Sequence, residues 1–351
     1  MSKKLPEIHP DDILRGLSDW IDYAMPALGT PVSIEKFPTG QSNPTYRITL
    51  ETGKQTKSCV LRKQPPGTIL KSAHAVDREF KVMKALGQSV IPVPEMLIEC
   101  SDESVIGTKF FLMAEIPGRS HVDPALPEHT QTSRRDLYMA KAKLLANMSL
   151  LDPVELGLED FGRASNYLER QFNLWSKQYR ASETSEMPHM EFLLANLTDY
   201  LKPDLEGSCV IHGDFRLDNL IIRNHVEIAA IIDWELSTVG PKFIDLSYWC
   251  AMLRMGSDWP INGLGRKNRE SLGIPTEQEL LKLYCNAICA PAPPHWEALI
   301  AFQLFRFASI LQGVYRRHLD GNASSRDAGQ VGIQARNVSE LGARTLKRHL
   351  G

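Results

Sequence analysis

Three polar side chains stand at the ends of apolar strands in the run VIHGDFRLDNLIIRNHVEIAAIIDWELSTVGPKFID, from Val210 to Asp245. Asp214 and Asn219 are five residues apart. Asp233 follows a predicted hairpin whose arms, NLII and IAAII, are apolar throughout. A carboxylate beside such strands is costly unless it is paired, hydrogen-bonded or bound to a metal. A hairpin returns its two ends to one place, so Asn219 and Asp233 are expected to be neighbours. Two hard oxygen ligands suit Mg²⁺, which takes few protein ligands and fills its shell with phosphate oxygens. Asp214, close by, is placed to orient a hydroxyl nucleophile. Phosphoryl transfer asks little more of a carboxylate, because positioning and electrostatics carry most of the rate.

These residues need elements to hold them. Residues 11–25 read as an amphipathic helix with Ile13, Leu14, Leu17, Ile21 and Met25 on one side. From Val32 to Val60 the pattern changes to strand, polar turn, strand, turn, strand, an antiparallel meander. Residues 72–86 are predicted helical, with Val76, Phe80 and Met83 on one face and Gly87 as the stop. Pro92 and Pro94 break the helix, and IPVPEMLIEC and GTKFFLMAEIPG follow as strands. After Gly118 the chain turns mostly helical, with helices predicted near 126–151, 165–180, 190–201, 275–290 and 295–319. The fold class is therefore α+β. A small antiparallel β block with one crossing helix spans 1–117, and a larger, mainly helical block spans 118–351. Two blocks of unlike composition invite a ligand between them.

Composition agrees with an ordinary globular protein. The chain has 351 residues, 43% of them apolar and 23% charged. Its 40 basic and 42 acidic residues leave a net charge of −2, which argues against a general nucleic-acid or membrane coat. The N-terminus MSKKLPEIHPDD lacks a signal-peptide core. Apolar runs such as IAAII stop at five residues, far short of the ~20 that span a bilayer. The six cysteines form no CxxC pair and read as buried free thiols in a reducing cytoplasm.

The central run resembles the catalytic core of the protein-kinase-like fold, which carries Asp-x-x-x-x-Asn and a second Asp after the following hairpin. His212-Gly213-Asp214 and Ile232-Asp233-Trp234-Glu235 are the variants used by the aminoglycoside phosphotransferase and choline kinase branch. No Ala-Pro-Glu of the protein kinases proper is present. The phrases GQSNPTY, VLRKQPPG, YLERQ, HGDFRLDNLI, IDWELSTVGP and FRFASILQGVYRRHLDGNASS together are similar to the phosphotransferase domain fused to acyl-CoA dehydrogenases. The similarity covers roughly residues 30–345. It implies a two-lobed kinase-like fold with Mg·ATP between the lobes, Asp214 as the catalytic carboxylate, and Asn219 and Asp233 as metal ligands. Arg216 falls where many kinases place a Lys beside the transferring phosphoryl group. Arg62 replaces the usual strand Lys, with Glu79 as its helix partner, and as a planar fork it would meet phosphate differently. Lys63, the competing candidate, should point to the opposite face of the strand. Gly40, Ser42 and Asn43 lie where a phosphate-covering loop would, and Ala114 and Ile116 where the hinge meets adenine. The resemblance makes His212 a loop-orienting residue and Asp245 structural. Ala146-Asn147-Met148 stands where the family often has Leu-His, so no role for that His carries over.

The reading is an ATP-dependent phosphotransferase acting on a small-molecule hydroxyl, with a hydroxyacyl-CoA or hydroxy acid as the acceptor class and a functional link to an acyl-CoA dehydrogenase. Its rivals are a choline-, ethanolamine- or aminoglycoside-type kinase, and a non-catalytic ATP-binding module. An aminoglycoside is a polycation and needs an acidic pocket, whereas the C-terminal half is rich in arginine.

Overall fold

The computed structural model describes residues 8–37, 43–65, 75–201, 207–323 and 327–351. The chain divides into two compact units, Met1–Gly118 with Ala229–Glu235, and Arg119–Ile228 with Leu236–Gly351. Residues 229–235, which a linear reading leaves in the helical block, thus belong to the β unit.

The first unit opens with helix α1 (Pro10–Ala24). Pro10 sits in its first turn with Asp11 and Asp12, where a fixed φ and negative charge both suit a helix start. A five-stranded antiparallel sheet follows, in the order β1-β2-β3-β5-β4. Its strands are β1 (Thr30–Lys36), β2 (Thr45–Thr52), β3 (Gln55–Lys63), β4 (Met96–Cys100) and β5 (Phe110–Ala114). Helix α2 (Val76–Leu86) crosses between β3 and β4. Gly87 has φ −61°, so the helix ends without the left-handed glycine stop that its position suggested.

The sheet is covered on both faces. Ile13, Leu17 and Ile21 of α1 pack with Tyr46, Ile48, Leu50, Cys59, Leu61, Phe110 and Leu112. Alternate residues of β5 face the other way, and Phe111 meets Phe80 of α2 with ring centroids 6.0 Å apart. This explains why β5 reads as a continuous apolar run rather than an alternating one. It also sorts Arg62 from Lys63, since Leu61 belongs to the α1 face and Arg62 reaches Glu79 on α2. Both residues are buried.

The second unit contains α3 (Gln131–Leu150), α4 (Tyr167–Ser182), α5 (Pro188–Asn196), β6 (Ser208–Ile211) and β7 (Leu220–Arg223). β7 is the first arm of a hairpin with β8 (Glu227–Ile231), along which the chain leaves this unit. The unit resumes with β9 (Thr238–Pro241), α6 (Ile244–Arg254), α7 (Arg269–Leu272), α8 (Glu277–Ala287), α9 (Trp296–Leu319), α10 (Ala328–Ile333) and α11 (Ala335–Leu350). Thr276 and Glu279 close a reciprocal capping box at the start of α8. β6 pairs antiparallel with β9.

Helix α9 is the hub, packed against α4, α6, α10 and α11. Among the described residues it is the one helix long and apolar enough to cross a membrane, and 78% of its most apolar stretch is buried inside the unit. The five-residue apolar runs counted in sequence understated it, because Gln303 and Arg306 interrupt the run yet are themselves buried. Cys59, Cys100, Cys209 and Cys250 are buried free thiols, whereas Cys285 is half-buried and Cys289 exposed, contrary to expectation.

Candidate active site

The catalytic-loop candidate runs from the end of β6 to the start of β7. It is held from outside at several points. Asp245, in the first turn of α6, accepts from His212 N at 2.7 Å and Gly213 N at 2.9 Å. Arg306 of α9 donates to the Gly213 carbonyl at 3.1 Å. Lys141 of α3 is fully buried and donates to the Phe215 carbonyl at 3.0 Å, with its ammonium over the Trp249 and Phe215 rings. The His212 ring accepts from Asp214 N at 3.2 Å, so it does orient the loop. Gly213 has φ +85°, and a Cβ there would come within 2.6 Å of the Leu236 carbonyl oxygen. Only glycine meets both demands.

Asp214 is partly exposed and ringed by donors. Tyr248 donates to its Oδ1 at 2.5 Å, and Arg216 Nε lies 3.3 Å from the same atom. Asn219 Nδ2 donates to its Oδ2 at 3.0 Å and to its main-chain carbonyl at 2.8 Å. Burial works to raise this carboxyl, but Arg216, the Tyr248 hydroxyl, His212 and Arg306 outweigh it and hold it below the usual carboxylate range. Asp214 is therefore an ionised acceptor. Arg216 is shared with Asp218, 2.5 Å away, so it is an ion-pair member as well as a charge beside Asp214.

The first unit holds a second cluster. Arg62 is buried and donates to Glu79 at 2.6 Å, to Asp233, and lies 3.8 Å from Glu235. Burial lowers the guanidinium, but the three carboxylates outweigh it and strengthen its proton binding. Glu79 is almost fully enclosed, and burial pushes its carboxyl above the ordinary range against the pull of Arg62. Segment 229–235 is pinned here by Ile231 N donating to the Pro92 carbonyl at 2.8 Å and Trp234 N donating to Glu79 at 3.2 Å. Asp233 takes a left-handed conformation, φ +63°, uncommon for a non-glycine residue. Trp234 is packing, with its indole N–H on the Ile231 carbonyl.

Asn43 is buried and donates to Glu235 at 3.3 Å, and its own enclosed Oδ1 has no partner among the described residues. Gly40 and Ser42 lie outside the described residues. Ala114 ends β5 with its N–H on the Glu95 carbonyl at 2.8 Å. Two residues on, Ile116 is half-buried, and its N–H has no hydrogen-bond partner among the described residues.

The metal candidates fit a hard cation in donor type. Asn219 turns its amide N–H₂ to Asp214, which leaves its carbonyl oxygen for a ligand. Asp233 belongs to a cluster of three carboxylates around one guanidinium, an excess of negative charge. Among the described residues no three His, Cys, Asp or Glu side chains form a metal cage by themselves. Asn219 and Asp233 each offer a hard oxygen donor of the type Mg²⁺ takes.

Sequence reasoning missed Tyr248, Lys141, Arg306 and Glu235. Tyr248 lies three residues after Asp245, one turn along α6, and that spacing is the one signal that could have found it.

The comparisons agree with this geometry. A profile described as the Phosphotransferase enzyme family matches residues 33–302. Acyl-CoA dehydrogenase family member 10 of Mus musculus is 43% identical over 325 residues, 91% of this chain and 30% of that protein. The chain spans less than half the length of the curated relatives it matches. A crystal structure from Ralstonia eutropha JMP134, provisionally named an aminoglycoside phosphotransferase, is 35% identical with TM-score 0.85, over 95% of this chain and 98% of that one. Spectinomycin phosphotransferase, solved with ADP and spectinomycin, has TM-score 0.62 over 95% of this chain and 98% of that one; at 12% identity it speaks for the fold. A kinase-like antiparallel sheet unit, a helical unit and the His-Gly-Asp loop with its downstream Asn converge on one assignment: the chain belongs to the Phosphotransferase enzyme family, the aminoglycoside phosphotransferase branch of the protein-kinase-like fold.

Proposed function

We propose that this protein transfers the γ-phosphoryl group of Mg·ATP to a hydroxyl of a small molecule. The observation that carries the reading is Asp214. It is held as an ionised acceptor by hydrogen bonds from Tyr248 and Asn219 and by the nearby Arg216 charge, on a loop whose main chain is fixed by Asp245, Lys141 and Arg306. A carboxylate so placed orients the acceptor hydroxyl and takes up its proton as the new oxygen–phosphorus bond forms. Arg216, beside Asp214, offers positive charge to the transferring group.

Asn219 and Asp233 would hold Mg²⁺, which when bound neutralises charge developing on the phosphate oxygens. Arg62, fixed by Glu79, would meet the phosphates, with Gly40, Ser42 and Asn43 covering them. Ala114 and Ile116 would meet the adenine edge, for which the unpartnered Ile116 N–H is suited. ATP as donor is supported by the ADP and ATP-analogue complexes of structural neighbours.

For the acceptor we favour a hydroxyacyl-CoA or related hydroxy acid. The support is that the matching stretch in the curated relatives is part of proteins named acyl-CoA dehydrogenase family members. Turnover of Mg·ATP over a panel of hydroxyacyl-CoAs, amino alcohols and aminoglycosides tests the reading. An acceptor-dependent rate lost in Asp214→Asn is expected. If no acceptor raises turnover above Asp214→Asn, the chain is an ATP-binding module rather than an enzyme.

A further inference from the structure

We propose that Tyr248 is a positioning residue that occupies Oδ1 of Asp214 and directs the acceptor hydroxyl to Oδ2. The inference rests on the phosphotransfer reading above and adds which oxygen takes the proton and what enforces the choice.

One turn of α6 clamps the loop twice. Asp245 holds the main chain of His212 and Gly213, and Tyr248, three residues on, holds the Asp214 side chain. The Tyr248 ring is buried, with the Arg306 guanidinium 5.6 Å from its centroid. Arg306 in turn fixes the Gly213 carbonyl. The Tyr248 hydroxyl has one hydrogen bond among the described residues, the 2.5 Å bond to Asp214. A phenylalanine would fill the same space, so this hydroxyl is explained by its partner. A buried hydroxyl is unfavourable without a partner.

The lone pairs can be counted. An ionised carboxylate offers about four acceptor sites, two on each oxygen. Oδ1 takes the Tyr248 hydrogen bond and has the Arg216 guanidinium 3.3 Å away in ion-pair contact, while among the described residues Oδ2 takes one hydrogen bond, from Asn219. Two groups therefore crowd Oδ1 and one faces Oδ2, which makes Oδ2 the oxygen left for the acceptor hydroxyl. In the transfer the acceptor O–H proton passes to Oδ2 as the acceptor oxygen bonds to the γ-phosphorus. The bond from that phosphorus to the bridging oxygen breaks, and ADP leaves with the electron pair. Tyr248 keeps its proton throughout.

Tyr248→Phe removes one oxygen and frees Oδ1. With Mg·ATP and hydroxyacyl-CoA thioesters as probes, ADP and phosphorylated acceptor are measured in the same reaction. The expected result is a kcat about 10- to 100-fold lower, since a carboxylate free to turn loses its near-attack geometry. The KM for ATP stays within about twofold, the melting temperature is unchanged, and ADP forms in excess over phosphorylated acceptor as water reaches Oδ1. Met252→Leu, a packing change in the same helix, is expected to behave as the unaltered protein. If the unaltered protein transfers phosphate and Tyr248→Phe keeps its kcat and its one-to-one coupling, the inference is wrong and the phosphotransfer reading stands. A fall in kcat matched by a raised KM for ATP and a lowered melting temperature would reduce Tyr248 to packing and equally overturn it. If the unaltered protein equals Asp214→Asn with every probe and with water, the phosphotransfer reading itself fails.

Discussion

Around Arg62, one buried guanidinium meets three carboxylates; around Asp214, one partly exposed carboxylate meets a hydroxyl, an amide and a guanidinium. Each unit thus carries one of these two charged clusters, and the two are built in opposite senses. The first is enclosed and has a surplus of negative charge, which suits a site that waits for a cation and phosphates. The second holds the Asp214 charge with fixed donors and leaves it partly exposed, which suits a group that must stay ionised and hold its aim. Removing the centre of the first cluster leaves uncompensated buried charge and is a matter of stability. Removing the centre of the second leaves donors that can turn to water and is a matter of chemistry.

That contrast can be broken by experiment. The largest effect expected is that of Asp214→Asn, which keeps the shape and removes the charge. Phosphotransfer should fall by roughly 10²- to 10⁴-fold with nucleotide affinity and melting temperature kept, as read by steady-state kinetics and calorimetry. A variant that unfolds would place Asp214 with Arg62 as a structural group. Next comes Arg62→Met. It strands Glu79, and breaking such a buried pair costs about 3–5 kcal/mol, measurable by urea denaturation. A loss below about 1 kcal/mol would show that solvent already screens the pair.

Gly213→Ala comes third. The left-handed φ and the 2.6 Å approach to Leu236 force the loop to shift, a change expected to cost about 1–3 kcal/mol and to lower kcat through Asp214. Normal kcat in that variant would mean the loop tolerates displacement.

The smallest effect concerns Lys141. Burial pulls its ammonium down to about 7, with Arg216 acting in the same direction and Asp218 and Asp214 against it. The unfolded chain keeps the ordinary value near 10.5. Between these two values the unfolded state binds the extra proton, so stability rises with pH across that window and is lost as pH falls toward 7. Lys141→Met should flatten that slope, which is at most about 1.4 kcal/mol per pH unit. An unchanged slope in pH-dependent denaturation would show that the Trp249 and Phe215 rings hold the ammonium charged.

Much of the first unit was legible in the sequence. The meander, α1, α2 and the proline-broken entry to β4 follow from local periodicity and turn chemistry, and the structure differs mainly at their ends. The second unit was less so. Helix α6 is buried at ten consecutive residues, Ile244 to Leu253, so it shows no polar face for a helical period to reveal. The long helices α3 and α4 could be read, although α3 begins at Gln131 rather than 126 and α4 at Tyr167 rather than 165. Of the site, the pairing of Arg62 with Glu79 was legible through the resemblance to the kinase-like fold, and strand alternation set Arg62 apart from Lys63. Glu235 joining that cluster was not, because residues 229–235 return to the first unit through long-range contacts.

By itself the sequence determined the chemistry on offer. It placed Asp214, Asn219 and Asp233 at strand ends, put Arg62 on a strand and Glu79 on a helix, and set glycine at 213. Those are properties of residue type and short-range geometry. Only the tertiary structure decided how each group is tuned. Tyr248, Lys141 and Arg306 lie 34, 74 and 93 residues from the loop residues they hold. Whether a distant side chain reaches a carboxylate depends on how helices pack, and packing is a property of the whole fold rather than of any local run of residues.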